Sequence, residues 1–464
     1  MFSLTPPEGT TVYPDRLRTS WHHRISTNLI DWEETEVALV PGENCSADKD
    51  GCWTGSVIFA EGEYHCFYTG FCIGAKHQQT ICRAVSDDCI HWKKDPRNPY
   101  LLPETDKYEA MDWRDSYIFY NEDDKLYWLL ISARKNEGPK MRRGVVVLYR
   151  SSDLENWSHY GPLYHTNTNC PECPEMYKMN GYWYLAYSRF LENAGTIYRV
   201  SKSPFGPFRV PSQDGIGGRR FYAAKSIQND NGRRFYFAWA HDRANKSDDG
   251  EWYWGGIYCI PHEVCSKPDG NLDVKMPQEI ADALYQNLPW DLCPQEGIME
   301  RKTEDTFTAE AIGTMAYGFL DTGDLKSMLL QCKIKPMDCN DSFGLLLKCN
   351  DHADRGYHLS FDVAAQRVTL MKMPWPLDPF WAETCPVLET PVAEPDGPRV
   401  CEKPFRFQNG DSIDVKIVID HNMMEMFIGN QVAFTFRSYS PCSHELGWFV
   451  RDGKTEFSNI KVSK

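Results

Sequence analysis

Four segments of the 464-residue chain share one form: a strand-like stretch, a short polar turn, then an aromatic ring. They are HHRISTNLIDWEE near Trp32, ICRAVSDDCIHWKK near Trp92, VVVLYRSSDLENWSHYG near Trp157 and IYRVSKSPFGPFRVP near Phe208, spaced by 60, 65 and 51 residues. Self-similarity at a period of this length is the signature of a repeat architecture. Aromatic-rich runs accompany the turns, namely EGEYHCFYTGF at 61–71, DDKLYWLLISAR at 123–134, NGYWYLAYSRF at 180–190 and GRRFYFAWAHD at 232–242. Each has the length of one strand, is rich in β-branched and aromatic residues, and is edged by Gly, Asp or Asn turn chemistry. Repeats of roughly fifty to sixty residues with about four strands each match the blades of a β-propeller. Counting the units predicts five blades.

The first unit departs from the pattern. Only about twenty residues precede its turn, and TTVYPDRLRTSW contains no aromatic strand, so the first blade is expected to be truncated. After residue 260 the pattern fades through KMPQEIADALYQNLPWDLCPQEG, where QEIADALYQ at 278–286 is the one persuasive short helix. It gives way to nine short strand-like runs, from SMLLQCKIKP and FGLLLKCN to ELGWFVR and FSNIKVS, whose spacing suggests a β-sandwich. The expectation is an all-β chain, with a five-bladed propeller over 1–292 and a sandwich over 303–464.

Charge narrows the partners. With 65 acidic against 50 basic residues and a net charge of -15, the chain lacks the excess of Lys and Arg that nucleic acid or an anionic membrane calls for. A small neutral carbohydrate is easier to accommodate, and the 15 Trp offer rings that can stack on sugars as well as fill a β-rich core. The N-terminus has no basic region followed by an apolar run, and no stretch approaches 18 consecutive apolar residues. The 17 cysteines, an odd number set in strand-like contexts, read as reduced thiols, and a cytoplasmic location is expected.

In a propeller the innermost strands of successive blades converge on a central funnel, so carboxylates at their leading ends are candidates for chemistry. Asp115, in MDWRDSYIFYNEDDKLYW, follows Arg114, whose guanidinium favours an ionised carboxylate suited to stabilising a transition state or binding substrate hydroxyls. Glu172, in NCPECPEMYKMNGYWY, stands between apolar neighbours that would raise its pKa as a general acid requires. Cys170 and Cys173 form a C-x-x-C without a second pair or a His pair, so no metal or cofactor is expected. Trp53 and Thr54, in GCWTGSVIFAEGEYHCFYTGF, supply a ring and a hydroxyl suited to a sugar. His22 and His23 read as structural.

The order GCWTGS, WRD, ECP and FYAAKS at 221–226, followed by RRFYFAWAHD and WYWGG, resembles glycoside hydrolase family 32, the invertase, levanase and inulinase family. IVIDHNMMEMFIGNQVAFTFRSY resembles that family's sandwich domain, where V-D-x-S-x-x-E-x-F-x-N is typical. The resemblance implies retaining hydrolysis of terminal fructosyl units in sucrose or small fructans. In the family's scheme a blade-one Asp attacks the anomeric carbon, the R-D Asp stabilises the transition state and the E-C Glu is acid and then base. Asp115 and Glu172 match the last two, and Arg114, Tyr222, Lys225 and Trp254 join Trp53 and Thr54 as possible pocket residues.

Two departures accompany the match. The family's W-M-N-D-P-N-G stretch is not found, which leaves Asp15 as the only acidic residue near the nucleophile's position, and R-D-P has become Arg114-Asp115-Ser116. Retaining chemistry needs the nucleophile and acid/base carboxyls about 5–5.5 Å apart. An arabinofuranosidase-type propeller glycosidase and a non-catalytic sugar-binding protein without a nucleophile are the alternatives.

Overall fold

The structure is a computed structural model that describes residues 1–10, 15–191, 194–321, 325–384 and 398–464. Five successive antiparallel sheets form the blades of the propeller. Blade one is a three-stranded sheet of Phe2–Thr5, Ser20–Ile25 and Glu33–Glu34. Its leading strand comes from FSLT, only four residues long and paired with a strand distant in the sequence. Blade two runs from Gly51–Ala60 through Glu63–Phe71 and Gln79–Ser86 to Lys93–Lys94, and blade three from Tyr108–Asn121 through Leu126–Lys135 and Gly144–Ser151 to Ser158–His165. Blade four contains Glu172–Met179, Tyr182–Arg189 and Gly195–Ser201; blade five contains Tyr222–Gln228, Arg234–Arg243, His262–Ser266 and Leu272–Lys275, with Trp252–Tyr258 added beside Arg234–Arg243.

The repeated polar turn has a common physical cause. In each of the first three copies one side-chain oxygen accepts two backbone amides: Asn28 Oδ1 from Ile30 and Asp31 at 2.9 Å, Asp88 Oδ1 from Ile90 and His91 at 2.9 and 2.8 Å, and Asp153 Oδ1 from Glu155 and Asn156 at 2.9 and 2.8 Å. A serine two residues earlier completes each turn, and Leu29, Cys89 and Leu154 take the left-handed conformation at φ 67°, 63° and 61°. The fourth copy builds its turn with Ser201 and Ser203 instead.

The middle strands read as continuous apolar runs because both of their faces are covered. In Leu126–Lys135, Tyr127, Leu129, Ile131 and Ala133 pack into a core shared with blade two, while Trp128 and Leu130 pack into one shared with blade four. Val145 and Val147 against Val146 and Leu148 repeat the alternation one strand out. Trp113 and Trp128 are fully buried, a contribution on the order of 3 kcal/mol each.

The chain divides into two compact units. One contains Met1–Asp214, Ala223–Lys225 and Pro268–Gly270; the other contains Gly215–Tyr222, Ser226–Lys267 and Asn271–Lys464, so most of blade five belongs with the sandwich. The short helix expected at 278–286 is observed as Gln278–Ala283. The sandwich differs from a set of short strands. The runs SMLLQCKIKP and FGLLLKCN are one 23-residue strand, Ser327–Cys349, and ELGWFVR and FSNIKVS are one 20-residue strand, His444–Ser463. Register shifts at Gln331/Lys333, Pro336/Asp338 and Cys339/Ser342 let these strands bend without ending. Breaks in the apolar pattern therefore mark bulges as well as turns. Asp291–Glu296 pairs with Thr306–Asp321 in the same eleven-stranded network. No helix among the described residues is long and apolar enough to cross a membrane.

Candidate active site

The leading strands of blades two, three and four each contain a bulge at the same place. Register shifts fall between Trp53 and Gly55, between Arg114 and Tyr117, and between Glu172 and Glu175. Asp115 and Cys173 sit there at φ 59° and 50°, and Ala223 on the leading strand of blade five has φ 51°. Trp53-Thr54, Arg114-Asp115, Glu172-Cys173 and Tyr222-Ala223 are thus equivalent pairs. A bulge re-aims side chains that a regular pleat would send into the sheet stack.

Polar side chains hand backbone amides from one blade to the next. Thr69 Oγ1 accepts from Asp115 N at 2.8 Å and donates to Thr54 O at 2.9 Å, and Ser56 Oγ accepts from Ile118 N at 2.8 Å. Asp115 Oδ2 accepts from Cys173 N at 3.0 Å, and Thr196 Oγ1 accepts from Ala224 N at 3.2 Å. Asp115 is therefore fixed through Oδ2, while its Oδ1 has no partner among the described residues.

The Arg114 guanidinium is the hub. Nη2 lies 3.1 Å from Glu172 Oε1, Nη1 lies 2.5 Å from Asp112 Oδ1, and Nε lies 3.7 Å from Asp115 Oδ2. The adjacent arginine was expected to keep Asp115 readily ionised, and the geometry gives the opposite balance. Its best donors go to Glu172 and Asp112. Burial pushes the Asp115 carboxyl up to about 6; Arg114 opposes that, the Glu172 charge adds to it, and Cys173 N and Lys225 oppose it further. Glu172 does not lie in the apolar pocket expected of it: its side chain is 26% exposed and pairs with Arg114.

The other candidates are distributed as follows. Lys225 Nζ donates to Pro174 O at 2.8 Å and stands 5.0 Å from the Tyr117 ring centroid, close enough to act on Asp115. Thr54 Oγ1 approaches Cys173 Sγ at 3.9 Å. Trp53 stacks on Phe71 at 4.1 Å and donates Nε1 to Leu17 O at 2.9 Å, so one ring face is already covered. Tyr222, buried, belongs to an aromatic group with Trp239 at 5.8 Å and His241 at 5.3 Å, which Trp254 extends at 6.0 Å from Trp239. Asp15 is exposed at the start of a single turn, Asp15–Leu17, and no described contact joins its carboxylate to Arg114, Asp115 or Glu172.

His23 is buried and stacked on Phe2 at 4.3 Å, and burial lowers it to about 4. Burial pushes the Cys170 and Cys173 thiols up, which keeps them protonated. Among the described residues no group of three or more His, Cys, Asp or Glu is placed to hold one. Sequence reasoning missed Asp112, Thr69 and Arg134. Asp112 stands three residues before Asp115, and the signal available for it was this third charge in MDWRDS.

A propeller whose neighbouring blades bring carboxylates to one buried arginine, followed by a β-sandwich, has the framework of a carbohydrate-cleaving enzyme. The chain belongs to glycosyl hydrolases family 32: the family's N-terminal domain matches residues 10–275 and its C-terminal domain matches residues 298–464. It is 26% identical over 480 residues to a fructan 1-exohydrolase of Aegilops tauschii, covering 92% of this chain and 76% of that protein. Similar solved structures include a sucrose-6-phosphate hydrolase from Lactobacillus gasseri, with a TM-score of 0.71 at 18% identity, covering 100% of this chain and 87% of the other. Fructan 1-exohydrolase IIa from Cichorium intybus has a TM-score of 0.68 at 18% identity, covering 100% and 93%.

Proposed function

We propose that the protein is a β-fructofuranosidase-like glycoside hydrolase that releases terminal fructosyl units from sucrose or small fructans, with Glu172 as acid/base and Asp115 as transition-state stabiliser. The observation that carries this reading is the pairing of Glu172 and Asp115 across adjacent bulges around Arg114. Asp115 offers an unpartnered Oδ1 to ring hydroxyls and, above about pH 6, a full negative charge to an oxocarbenium-like transition state. Glu172, partly exposed and oriented by Arg114, protonates the glycosidic oxygen and then takes a proton from the attacking water. Lys225 and Thr54 line the same bulges, and the free thiols support a cytoplasmic setting. The one acidic residue near the nucleophile's place in the sequence is Asp15, which is exposed and joined to this pair by no described contact, so its assignment as nucleophile rests on the assay that follows.

Glu172→Gln should lower sucrose or inulin-oligosaccharide turnover by roughly two to four orders of magnitude with an unchanged melting temperature. Unchanged hydrolysis in that variant rejects Glu172 as acid/base. Asp15→Asn in the same assay decides the nucleophile, since retained turnover removes Asp15 from the mechanism. Arabinoside cleavage without fructoside cleavage by the wild type would assign the arabinofuranosidase specificity. Calorimetric binding of fructose or sucrose without hydrolysis would assign the non-catalytic reading.

A further inference from the structure

We propose that Asp112 is a positioning residue that clamps Arg114 against Glu172, as the inner end of a ladder of alternating charges that sets the pH range over which the Asp115–Glu172 pair works. The inference rests on the glycosidase reading of Glu172.

The ladder is continuous within one unit. Arg143 Nη1 lies 2.9 Å from Glu109 Oε1, and Glu109 forks onto Arg134 with Oε2 at 2.9 Å from Nε and Oε1 at 3.2 Å from Nη2. Arg134 Nε lies 3.3 Å from Asp112 Oδ2, and Asp112 Oδ1 takes Arg114 Nη1 at 2.5 Å. Arg114 Nη2 then reaches Glu172. Glu109 and Asp112 both fall in the stretch between Tyr108 and Trp113 where blade three loses its register, so the chain there is free to aim carboxylates sideways. Arg134 also holds the Asn169 carbonyl at 3.3 Å, which ties the ladder to the segment entering Cys170-Pro171-Glu172.

Burial makes the arrangement electrically effective. The Arg114 and Arg134 side chains are only 10% and 11% exposed, and Asp112 is 23% exposed. Without Asp112, Arg114 would keep its charge but lose the shorter and only charged of the two contacts on Nη1, leaving Gln79 Oε1 at 3.3 Å, and its charge would fall more fully on Glu172 and Asp115. The charged and titratable groups facing the pair directly are Arg114 from the leading strand of blade three, Lys225 from the strand of blade five, and the Cys170 and Cys173 thiols beside Glu172, while Asp112 faces Arg114 and Arg134 faces Asp112. The thiols stay neutral, so Arg114 and Lys225 act on the pair directly and Asp112 and Arg134 act on it through Arg114.

The signs follow. Removing the Asp112 charge frees Arg114 to favour the ionised form of Asp115, so Asp112→Asn should move the Asp115 limb of the kcat/KM profile on sucrose to lower pH by roughly one unit. Loss of kcat at neutral pH should exceed any change in KM, and Asp112→Glu should restore the wild-type profile. Arg134→Gln removes the opposite charge and should move the profile to higher pH, a second variant should Asp112→Asn fold poorly. Profiles of folded Asp112→Asn and Arg134→Gln that superimpose on the wild type, or a uniform loss of activity without displacement, overturn the proposal.

Titration of the Asp115 carboxyl by 13C resonance, assigned with Asp115→Asn, gives a readout independent of turnover. If the wild type hydrolyses no fructoside while Asp112→Asn still lowers the Asp115 midpoint, the fructosidase reading fails and the positioning role stands. An Asp115 midpoint equal in wild type and Asp112→Asn defeats the positioning role whatever the activity.

Discussion

Asp115 combines three constraints in one residue: a left-handed backbone at φ 59°, an oxygen committed to Cys173 N, and burial beside a second carboxylate. Its carboxyl is pushed up to about 6, above the roughly 3.9 of an unfolded chain. The folded state therefore binds the proton more tightly, and as pH rises from about 4 to about 6 this residue costs the fold stability, with no further change above that. Asp115→Asn carries no charge and can still accept Cys173 N through Oδ1. Its melting temperature relative to wild type should therefore climb between pH 4 and pH 7 and then level off. A difference that stays constant with pH would mean that the carboxyl is not strained in the folded state. The sequence announced Asp115 and Glu172 because each stands at the start of a strand, but it could not show how one guanidinium divides its donors. The Arg-Asp adjacency in sequence suggested a pair, whereas the bulge turns the Arg114 donors to Asp112 and Glu172.

At the scale of elements, the repeat was legible because its turn is local chemistry. One side-chain oxygen organises two amides within three residues, so Asn28, Asp88 and Asp153 recur at a readable spacing ahead of Trp32, Trp92 and Trp157. Asn28→Ala removes both acceptor contacts and should cost about 1 kcal/mol, the usual size of a lost side-chain cap. Because Asn28 Nδ2 also donates to Asp31 Oδ2 at 2.8 Å, the double variant Asn28→Asp, Asp31→Asn reproduces the Asp153–Asn156 pair and should melt like the wild type. Equal losses in the two variants, measured by scanning calorimetry, would show that the turn's amides do not need this acceptor. Long strands were less legible. Ser327–Cys349 contains Pro336, Asp338, Asn340 and Asp341, which punctuate a sequence as a loop does, yet its pairing with His444–Ser463 continues through three register shifts. Only partner strands distant in sequence determine that outcome. The FSLT strand of blade one escaped notice for the same reason, since its register with Ser20–Ile25 is set across a gap of some fifteen residues.

For the whole molecule, the division of the chain makes the sandwich a condition for folding of blade five. Within that unit Glu425, on the buried strand Met423–Ile428, accepts from Ile260 N at 2.6 Å and Thr435 Oγ1 at 3.2 Å and faces His262 Nε2 at 3.2 Å. His262 stacks on Phe221 at 3.9 Å and meets Phe427 edge-on at 4.9 Å. Asp248 accepts from Tyr439 N at 2.7 Å, Ser440 N at 3.0 Å and Ser438 Oγ at 3.1 Å, and Thr435 N donates to Gly217 O at 2.8 Å. A chain ending at residue 292 would leave Ile260 N, the Gly217 carbonyl, the His262 imidazole and the Asp248 carboxylate without these partners, and would bare the apolar surface around Phe221. Water can take up the freed polar groups, so each lost hydrogen bond costs only about 0.5–3 kcal/mol, but together with the bared apolar surface the loss approaches the roughly 5–15 kcal/mol that holds a typical domain folded. Residues 1–292 expressed alone should therefore be insoluble or melt far below the full chain, with blade five exchanging its amide hydrogens first. A soluble 1–292 fragment with the melting temperature of the full chain would show that these contacts ornament a blade already stable without them. Glu425→Gln separates the two cases in the intact protein, because the amide keeps an acceptor for Ile260 N but no charge, and it should destabilise far less than truncation does.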